Sequence, residues 1–178
     1  MFPSDILKTA ERLVGILRET GQKISTAESC TGGLIAGAIT AVPGSSDVFD
    51  YGFVTYSNSA KSSTIGVDPD LIRQQGAVSA DVARAMAEGA LVHSHATVAV
   101  SVTGIAGPGG ATETKPVGLV HFACARKGHD TAHERHVFPG DRAAVREAAA
   151  IRALELVRQC AGEYSASTSA PTPSRPET

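Results

Sequence analysis

The segment 97–102, sequence TVAVSV, constrains the fold most strongly, because it is almost continuously apolar. A strand of this kind is buried on both faces, as in parallel sheets that carry helices on each side. Helical periodicity marks three long flanking segments, from Ser4 to Gly21, at 80–92 and at 142–160. The sequence therefore predicts an α/β fold, a three-layer α/β/α sandwich with a mixed, mostly parallel sheet.

β-forming residues predict four further strands, the last two joined as an antiparallel hairpin. These strands are 23–26, 51–56, 117–125 and 132–138. Short helices are predicted at 34–39 and 68–75, and the polar segment 58–63 is one helical turn or a loop. The chain has 178 residues, which favours one domain over 1–162, and the Ser/Thr/Pro-rich segment 163–178 is expected to be a disordered tail.

Composition excludes several classes of function. The formal net charge of −2 gives no support for binding to nucleic acid or to a membrane surface. No apolar run is long enough to span a bilayer, and we expect no signal peptide. The three cysteines, Cys30, Cys124 and Cys160, lack the spacing of a disulfide framework or a zinc site. A cytoplasmic protein is expected.

The segment 26–33, sequence TAESCTGG, joins a predicted strand to a predicted helix. Such a turn lies outside the carboxyl end of its strand, where open α/β sheets bind ligands. Ser29 and Cys30 are both candidate nucleophiles in this turn. The N–H groups of Gly32 and Gly33 could receive a phosphate or an oxyanion, although Ser, Thr and Gly are also ordinary turn residues.

Lys61 is a candidate base for Ser29, because it follows the strand 51–56 and so could lie at the same edge of the sheet. A lysine that is desolvated beside a nucleophile loses basicity and can act as a general base, with Tyr56 relaying the proton. The structural alternative is a solvated loop lysine and an amphipathic tyrosine at a strand end. From the residues alone, both interpretations stay open.

A long glycine-rich loop, residues 103–116, follows the buried strand, and loops of this length in compact domains are usually functional or disordered. It belongs to a wider set of candidate substrate-binding residues that offer N–H groups, hydroxyls or positive charge. These are Thr31, Gly32, Gly33, Ser45, Ser46, Thr103, Gly104, Gly107, Lys115 and Arg142. The phosphate loop GxxxxGK[ST] is absent, and so is a GxGxxG turn between strand and helix, which argues against a dinucleotide cofactor.

Histidines offer little sign of a metal site. His129, His133 and His136 have a spacing that would converge on a helix, but they lie on the predicted hairpin. Metal ligands must converge with defined geometry, so we expect no metal.

Seven short blocks, taken together, resemble the CinA C-terminal domain family. They are TAESCTGG (26–33), GSS (44–46), GFVTYSN (52–58) with Lys61, GAVS (76–79), TGIAGPGG (103–110), KPVG (115–118) and GDR (140–142). The resemblance implies nicotinamide-nucleotide amidohydrolase activity, in which nicotinamide mononucleotide and water give nicotinate mononucleotide and ammonia. It further implies Ser29 as nucleophile, with Tyr56 and Lys61 as catalytic partners and without metal or cofactor. N–H groups near Gly32 and Gly33, or at Thr103–Gly104, would hold the oxyanion.

Two other functions remain open at this stage. One is a non-catalytic nucleotide- or partner-binding module, which would not need both Ser29 and Lys61. The other is an amidase for a different amide, such as free nicotinamide, against which the charges of Lys115 and Arg142 argue. Glycine- and alanine-rich helix faces pack within the subunit or against a second copy, and we expect a homodimer.

Overall fold

The computed structural model describes residues 2–167, and its side chains through residue 162. Its helices are α1 (Ser4–Glu19), α2 (Leu34–Thr40), α3 (Asn58–Ile65), α4 (Pro69–Gln75), α5 (Ala80–Val92) and α6 (Arg142–Ser167), with a 3-10 turn at Ser45–Asp47. Its strands are β1 (Ile24–Glu28), β2 (Phe49–Val54), β3 (Val98–Gly104), β4 (Leu119–Arg126) and β5 (Ala132–Val137). The segment 58–63, for which a helical turn or a loop was predicted, lies in α3. Of the predicted tail, 163–167 continue α6, and 168–178 lie outside the described residues.

The five strands form one sheet in the order β2-β1-β3-β4-β5. β1 pairs parallel with both β2 and β3, whereas β4 is antiparallel to β3 and to β5. Four strands therefore point in one direction and β4 in the other, which confirms the predicted mixed, mostly parallel sheet. β1 lies between its two parallel neighbours, so the carboxyl ends of all three meet at one edge.

Helices cover both faces of this sheet, which confirms the three-layer sandwich. On one face, Val98, Val100 and Val102 of β3 pack in a core formed with α1, α2 and α6. On the other face, Ala99 packs with α3, α4 and α5. The hydroxyl of Ser101 points to this second face and donates a hydrogen bond of 2.6 Å to the Ala83 carbonyl of α5.

α3 approaches α5 so closely that only glycine fits between them. A Cβ atom added at Gly89 would lie 2.0 Å from the carbonyl oxygen of Ile65. Because real Cβ contacts of that length do not occur, the lack of a side chain at Gly89 lets α3 lie this close to α5. This matters for the site, since α3 carries Lys61.

The hairpin of β4 and β5 carries the histidines that were considered as metal ligands. They contact different partners: His133 Nε2 lies 3.0 Å from Nδ1 of His121, His136 lies 2.9 Å from Glu134, and His129 contacts a backbone carbonyl. Within residues 2–167, no group of three His, Cys, Asp or Glu side chains has the geometry of a metal site. Among the same residues, no helix combines the length and the apolar composition of a membrane span.

Candidate active site

The turn after β1 places Ser29 at the edge shared by three parallel strands. Side chains alternate along β1, so Ala27 packs among the residues beneath α5, while Glu28 faces α2. Ser29 follows at the strand end, and its N–H donates to the Val102 carbonyl of β3 at 2.9 Å. The Ser29 side chain is half-buried and reaches the α3 side of the sheet.

Lys61 contacts Ser29 directly. Ser57 is the N-cap residue of α3, and its hydroxyl accepts a hydrogen bond from the Ala60 N–H. One turn on, Lys61 is only 1% exposed, and its Nζ lies 3.2 Å from Ser29 Oγ and 2.9 Å from the Thr55 carbonyl oxygen. Burial lowers the pKa of Lys61 below its ordinary 10.5, and among the described residues no carboxylate forms an ion pair with it. A neutral amine here can take the Ser29 proton.

Cys30, the other candidate nucleophile, lies in the core instead. It is 5% exposed and packs in the core beneath α2 and α6. Burial raises the pKa of the Cys30 thiol to about 11, so the thiolate that would attack a substrate is disfavoured. The geometry therefore favours Ser29.

Tyr56 lies at the surface of the site and contacts Arg142. Its side chain is 57% exposed, and its hydroxyl accepts a hydrogen bond of 2.7 Å from Arg142, which also donates to the Gly107 carbonyl at 2.9 Å. Over residues 2–167, no hydrogen bond joins Tyr56 to Ser29 or Lys61. The expected Lys61–Tyr56 pair is therefore not formed in this structure, and Tyr56 instead connects β2 to the glycine-rich loop through Arg142.

The glycine N–H groups expected to receive an anion are already engaged. The Gly32 N–H donates to the Ser29 carbonyl at 3.0 Å, and the Gly33 N–H donates to the Glu28 carboxylate at 2.9 Å. In this structure, these two N–H groups are therefore not free to hold an oxyanion. Neither the Cys30 N–H nor the Thr31 N–H donates to a backbone carbonyl within the described part of the chain.

A cavity of about 510 Å³ opens beside this turn, between the glycine-rich loop and the start of α6. Arg142 and Arg146 both line it, together with Gly107. Arg146 also donates to the carbonyls of Cys30 and Thr31, at 3.1 and 3.0 Å. Across residues 2–162, neither arginine forms an ion pair with a carboxylate. Sequence reasoning missed Arg146, although its position four residues after Arg142 on a predicted helix puts both on one face.

Ser45 and Ser46, proposed as substrate ligands, lie at the wrong edge of the sheet. They belong to the 3-10 turn that leads into β2, beside Val48, whose carbonyl accepts from Ile24, the first residue of β1. The length of β1 separates them from Ser29 by about 15 Å, at roughly 3.3 Å per residue. The chain reaches this edge because α2 carries it back from the carboxyl end.

Three other predicted ligands make contacts within the protein. Lys115 Nζ donates to the Gln75 carbonyl of α4 at 3.0 Å, rather than lining the cavity with Arg142. Thr103 follows Val102 at the correct edge, but its buried hydroxyl donates to the Ala77 carbonyl. Thr31 is fully buried, with its carbonyl held by Arg146.

Gly104 packs tightly against β4, since a Cβ atom there would lie 2.8 Å from the Leu119 carbonyl oxygen. Of the predicted substrate-binding residues, Gly107 and Arg142 are the ones that line the cavity.

The comparisons with known proteins agree with this architecture. The family model described as CinA C-terminal domain matches residues 6–161. The chain belongs to this family. A competence-damage inducible protein of Caldicellulosiruptor saccharolyticus is 52% identical over 154 residues, which are 86% of this chain but 37% of that protein. The chain thus spans little more than a third of such longer CinA relatives.

Two further relatives match along almost their whole length. Nicotinamide-nucleotide amidohydrolase PncC of Escherichia coli K12 is 46% identical over 159 residues, which cover 89% of this chain and 96% of PncC. The crystal structure of the competence/damage inducible protein CihA from Agrobacterium tumefaciens is 47% identical with a TM-score of 0.87, covering 89% of this chain and 97% of that one. The fold of the CinA C-terminal domain therefore extends over nearly all of the described chain.

Proposed function

We propose that this chain is a nicotinamide-nucleotide amidohydrolase that converts nicotinamide mononucleotide and water into nicotinate mononucleotide and ammonia. The observation that carries the proposal is the contact of 3.2 Å between Ser29 Oγ and the buried Lys61 Nζ. A non-catalytic binding module has no need for an uncompensated buried lysine beside an accessible hydroxyl. The name of the PncC relative, matched over 96% of its length, supports the choice of substrate.

In the proposed mechanism, Lys61 acts first as base and then as acid. Neutral Lys61 takes the proton as Ser29 Oγ attacks the carboxamide carbon and forms a C–O bond. The protonated Lys61 side chain then gives this proton to the amide nitrogen of the substrate. The C–N bond breaks, and ammonia leaves. Water, deprotonated by Lys61, then attacks the nicotinoyl ester, and the product carboxylate and the Ser29 hydroxyl are released. This scheme uses no metal or cofactor.

We assign oxyanion stabilisation to the N–H group of Cys30 instead of those of the two glycines. The residue after a nucleophile on a strand-to-helix turn commonly supplies such a donor. This N–H lies in the same turn as Ser29 and has no backbone acceptor among the described residues. Removing one oxyanion donor typically lowers turnover by about a hundredfold to a thousandfold.

The cavity lined by Arg142 and Arg146 is our proposed site for the ribose phosphate. Its volume of about 510 Å³ is in the range of small-molecule sites. Guanidinium groups bind phosphate oxygens in a bidentate manner, and these two have no competing carboxylate in the described part of the chain. Tyr56 accepts a hydrogen bond from Arg142, which lines the cavity, so its proposed part is orientation of the substrate. The homodimer and the cytoplasmic location stay predictions.

The test is ammonia release from nicotinamide mononucleotide by purified protein in the presence of a metal chelator. We expect activity in the wild type and in Cys30→Ala, and none in Ser29→Ala. Activity should rise with pH through an acid limb set by Lys61, because only the neutral amine accepts the serine proton. No ammonia from the folded wild type would refute the proposal and favour a nucleotide- or partner-binding module.

A further inference from the structure

Glu28, the last residue of β1, carries a carboxylate that the proposed mechanism does not use. Its side chain is 0% exposed. Oε2 accepts hydrogen bonds from the N–H groups of Gly33 at 2.9 Å and Ile35 at 3.1 Å. Oε1 accepts from the Ala36 N–H at 2.8 Å and from the Thr26 hydroxyl at 3.4 Å. All four contacts are with donors, as a buried carboxylate requires.

This carboxylate caps α2 from the preceding strand. The first N–H groups of a helix have no intrahelical partner, and the residue at the N-cap, Gly33, has no side chain to supply one. The Glu28 carboxylate accepts hydrogen bonds from these N–H groups instead, so its hydrogen bonds connect the end of β1 to the start of α2 and enclose the turn formed by residues 29–32. The backbone on both sides of Ser29 is thereby fixed.

The backbone of Glu28 also supports the other member of the catalytic pair. Its carbonyl accepts from the Thr55 N–H at 2.9 Å, and the Thr55 carbonyl in turn accepts from Lys61 Nζ at 2.9 Å. Glu28 is therefore bonded both to the turn that carries Ser29 and to the segment that holds the Lys61 amine.

We propose that Glu28 is a positioning residue, whose buried carboxylate fixes the turn that presents Ser29 Oγ to Lys61 Nζ. The inference rests on the proposed function, because that function assigns the reaction to this pair. Glutamine at this position has one acceptor oxygen, and its NH₂ group cannot accept. Glu28→Gln therefore sets a donor against at least one α2 N–H, and the turn must shift. A displacement of about 1 Å can lower a rate by about a hundredfold.

The experiment compares kcat and KM for ammonia release by the wild type, Glu28→Gln and a matched control, Asp68→Ala. Asp68 caps α4 by accepting from the Asp70 N–H, so its variant also loses a helix cap but keeps the Ser29 turn. We expect Glu28→Gln to lower kcat by about tenfold to a hundredfold with KM unchanged. The control should keep both constants. Wild-type kcat in folded Glu28→Gln would overturn the inference.

Thr26→Val serves as a second, milder variant in case Glu28→Gln does not fold. It is close to isosteric and removes only the hydroxyl donor at 3.4 Å. We expect a smaller fall in kcat, again without a change in KM, and an unchanged kcat would overturn the inference.

Phosphonylation of Ser29 by a fluorophosphonate, in which an Oγ–P bond forms and fluoride leaves, separates this inference from the proposed function. If the wild type labels at Ser29 but releases no ammonia, the assigned substrate fails. A slower labelling rate in Glu28→Gln then still supports positioning, whereas an equal rate overturns it. A wild type that neither turns over nor labels overturns both proposals.

Discussion

Acid should destabilise this protein through two contacting histidines on its antiparallel hairpin, the buried His121 and the partly exposed His133. His121 is 8% exposed, and desolvation, followed by the charges of His133, Arg135 and Lys115, lowers its pKa from 6.5 to about 4. The folded state thus keeps His121 neutral where the unfolded chain binds a proton. Stability is fully present above pH 6.5 and is lost as pH falls towards 4. At about 1.4 kcal/mol for each pH unit, this window removes about 3 kcal/mol.

Urea unfolding at a series of pH values between 7 and 4 measures this loss. We expect His121→Gln to lose much less stability than the wild type over that range. The smaller loss that remains in this variant is due to His133, whose pKa is also lowered by burial. His129→Gln, in the exposed turn of the same hairpin, is the matched control and should keep the wild-type slope. Glu134, with its pKa lowered to about 2 by Arg152, loses its contribution mainly below this range. Equal slopes for His121→Gln and the wild type would refute the reasoning.

Three substitutions test the packing of the site. Lys61→Met removes an amine whose charged form is costly to bury. We therefore expect no activity and, at pH 7, a higher melting temperature than that of the wild type. A lower melting temperature would contradict the burial argument. Gly89→Ala places a methyl group 2.0 Å from the Ile65 carbonyl oxygen. We expect it to lower the unfolding free energy by about 2 kcal/mol and to lower kcat, because α3 must move with Lys61; wild-type values of both refute this. Cys30→Ala should lose about 1 kcal/mol of stability but keep its kcat; a loss of activity as large as that of Ser29→Ala would make the thiol the nucleophile.

The fold could be predicted because periodicity and burial act locally along the chain. The apolar run at 97–102 indicated a strand buried on both faces, and β3 is that strand. The contact of Ser29 with Lys61 was also within reach, since each follows a strand whose carboxyl end lies at the same edge. The order of the strands could not be predicted, because any parallel arrangement of β1, β2 and β3 satisfies the same pattern.

The errors in the candidate site have identifiable physical causes. Ser45 and Ser46 follow a helix, and helix-to-strand connections lie at the amino edge of a parallel sheet, so their placement could have been predicted from the alternation of elements. The roles of Gly33 and Glu28 could not be predicted from the sequence, because they depend on how the turn directs the Gly33 N–H towards a carboxylate five residues earlier. Lys115 lies in a long loop whose path no local pattern defines.

The two halves of the site come from different parts of the chain. Ser29 and Lys61 lie within the first 61 residues, whereas the cavity is lined entirely by residues 106–146. Changes in the later segment can therefore alter which ligand is bound while the contact of Ser29 with Lys61 is kept, provided that Arg146 still donates to the carbonyls of Cys30 and Thr31. For protein engineering, the glycine-rich loop and the first two turns of α6 can be exchanged together: grafting them from another member of the family, with Arg146 retained, should transfer ligand preference and leave the Ser29–Lys61 pair in place.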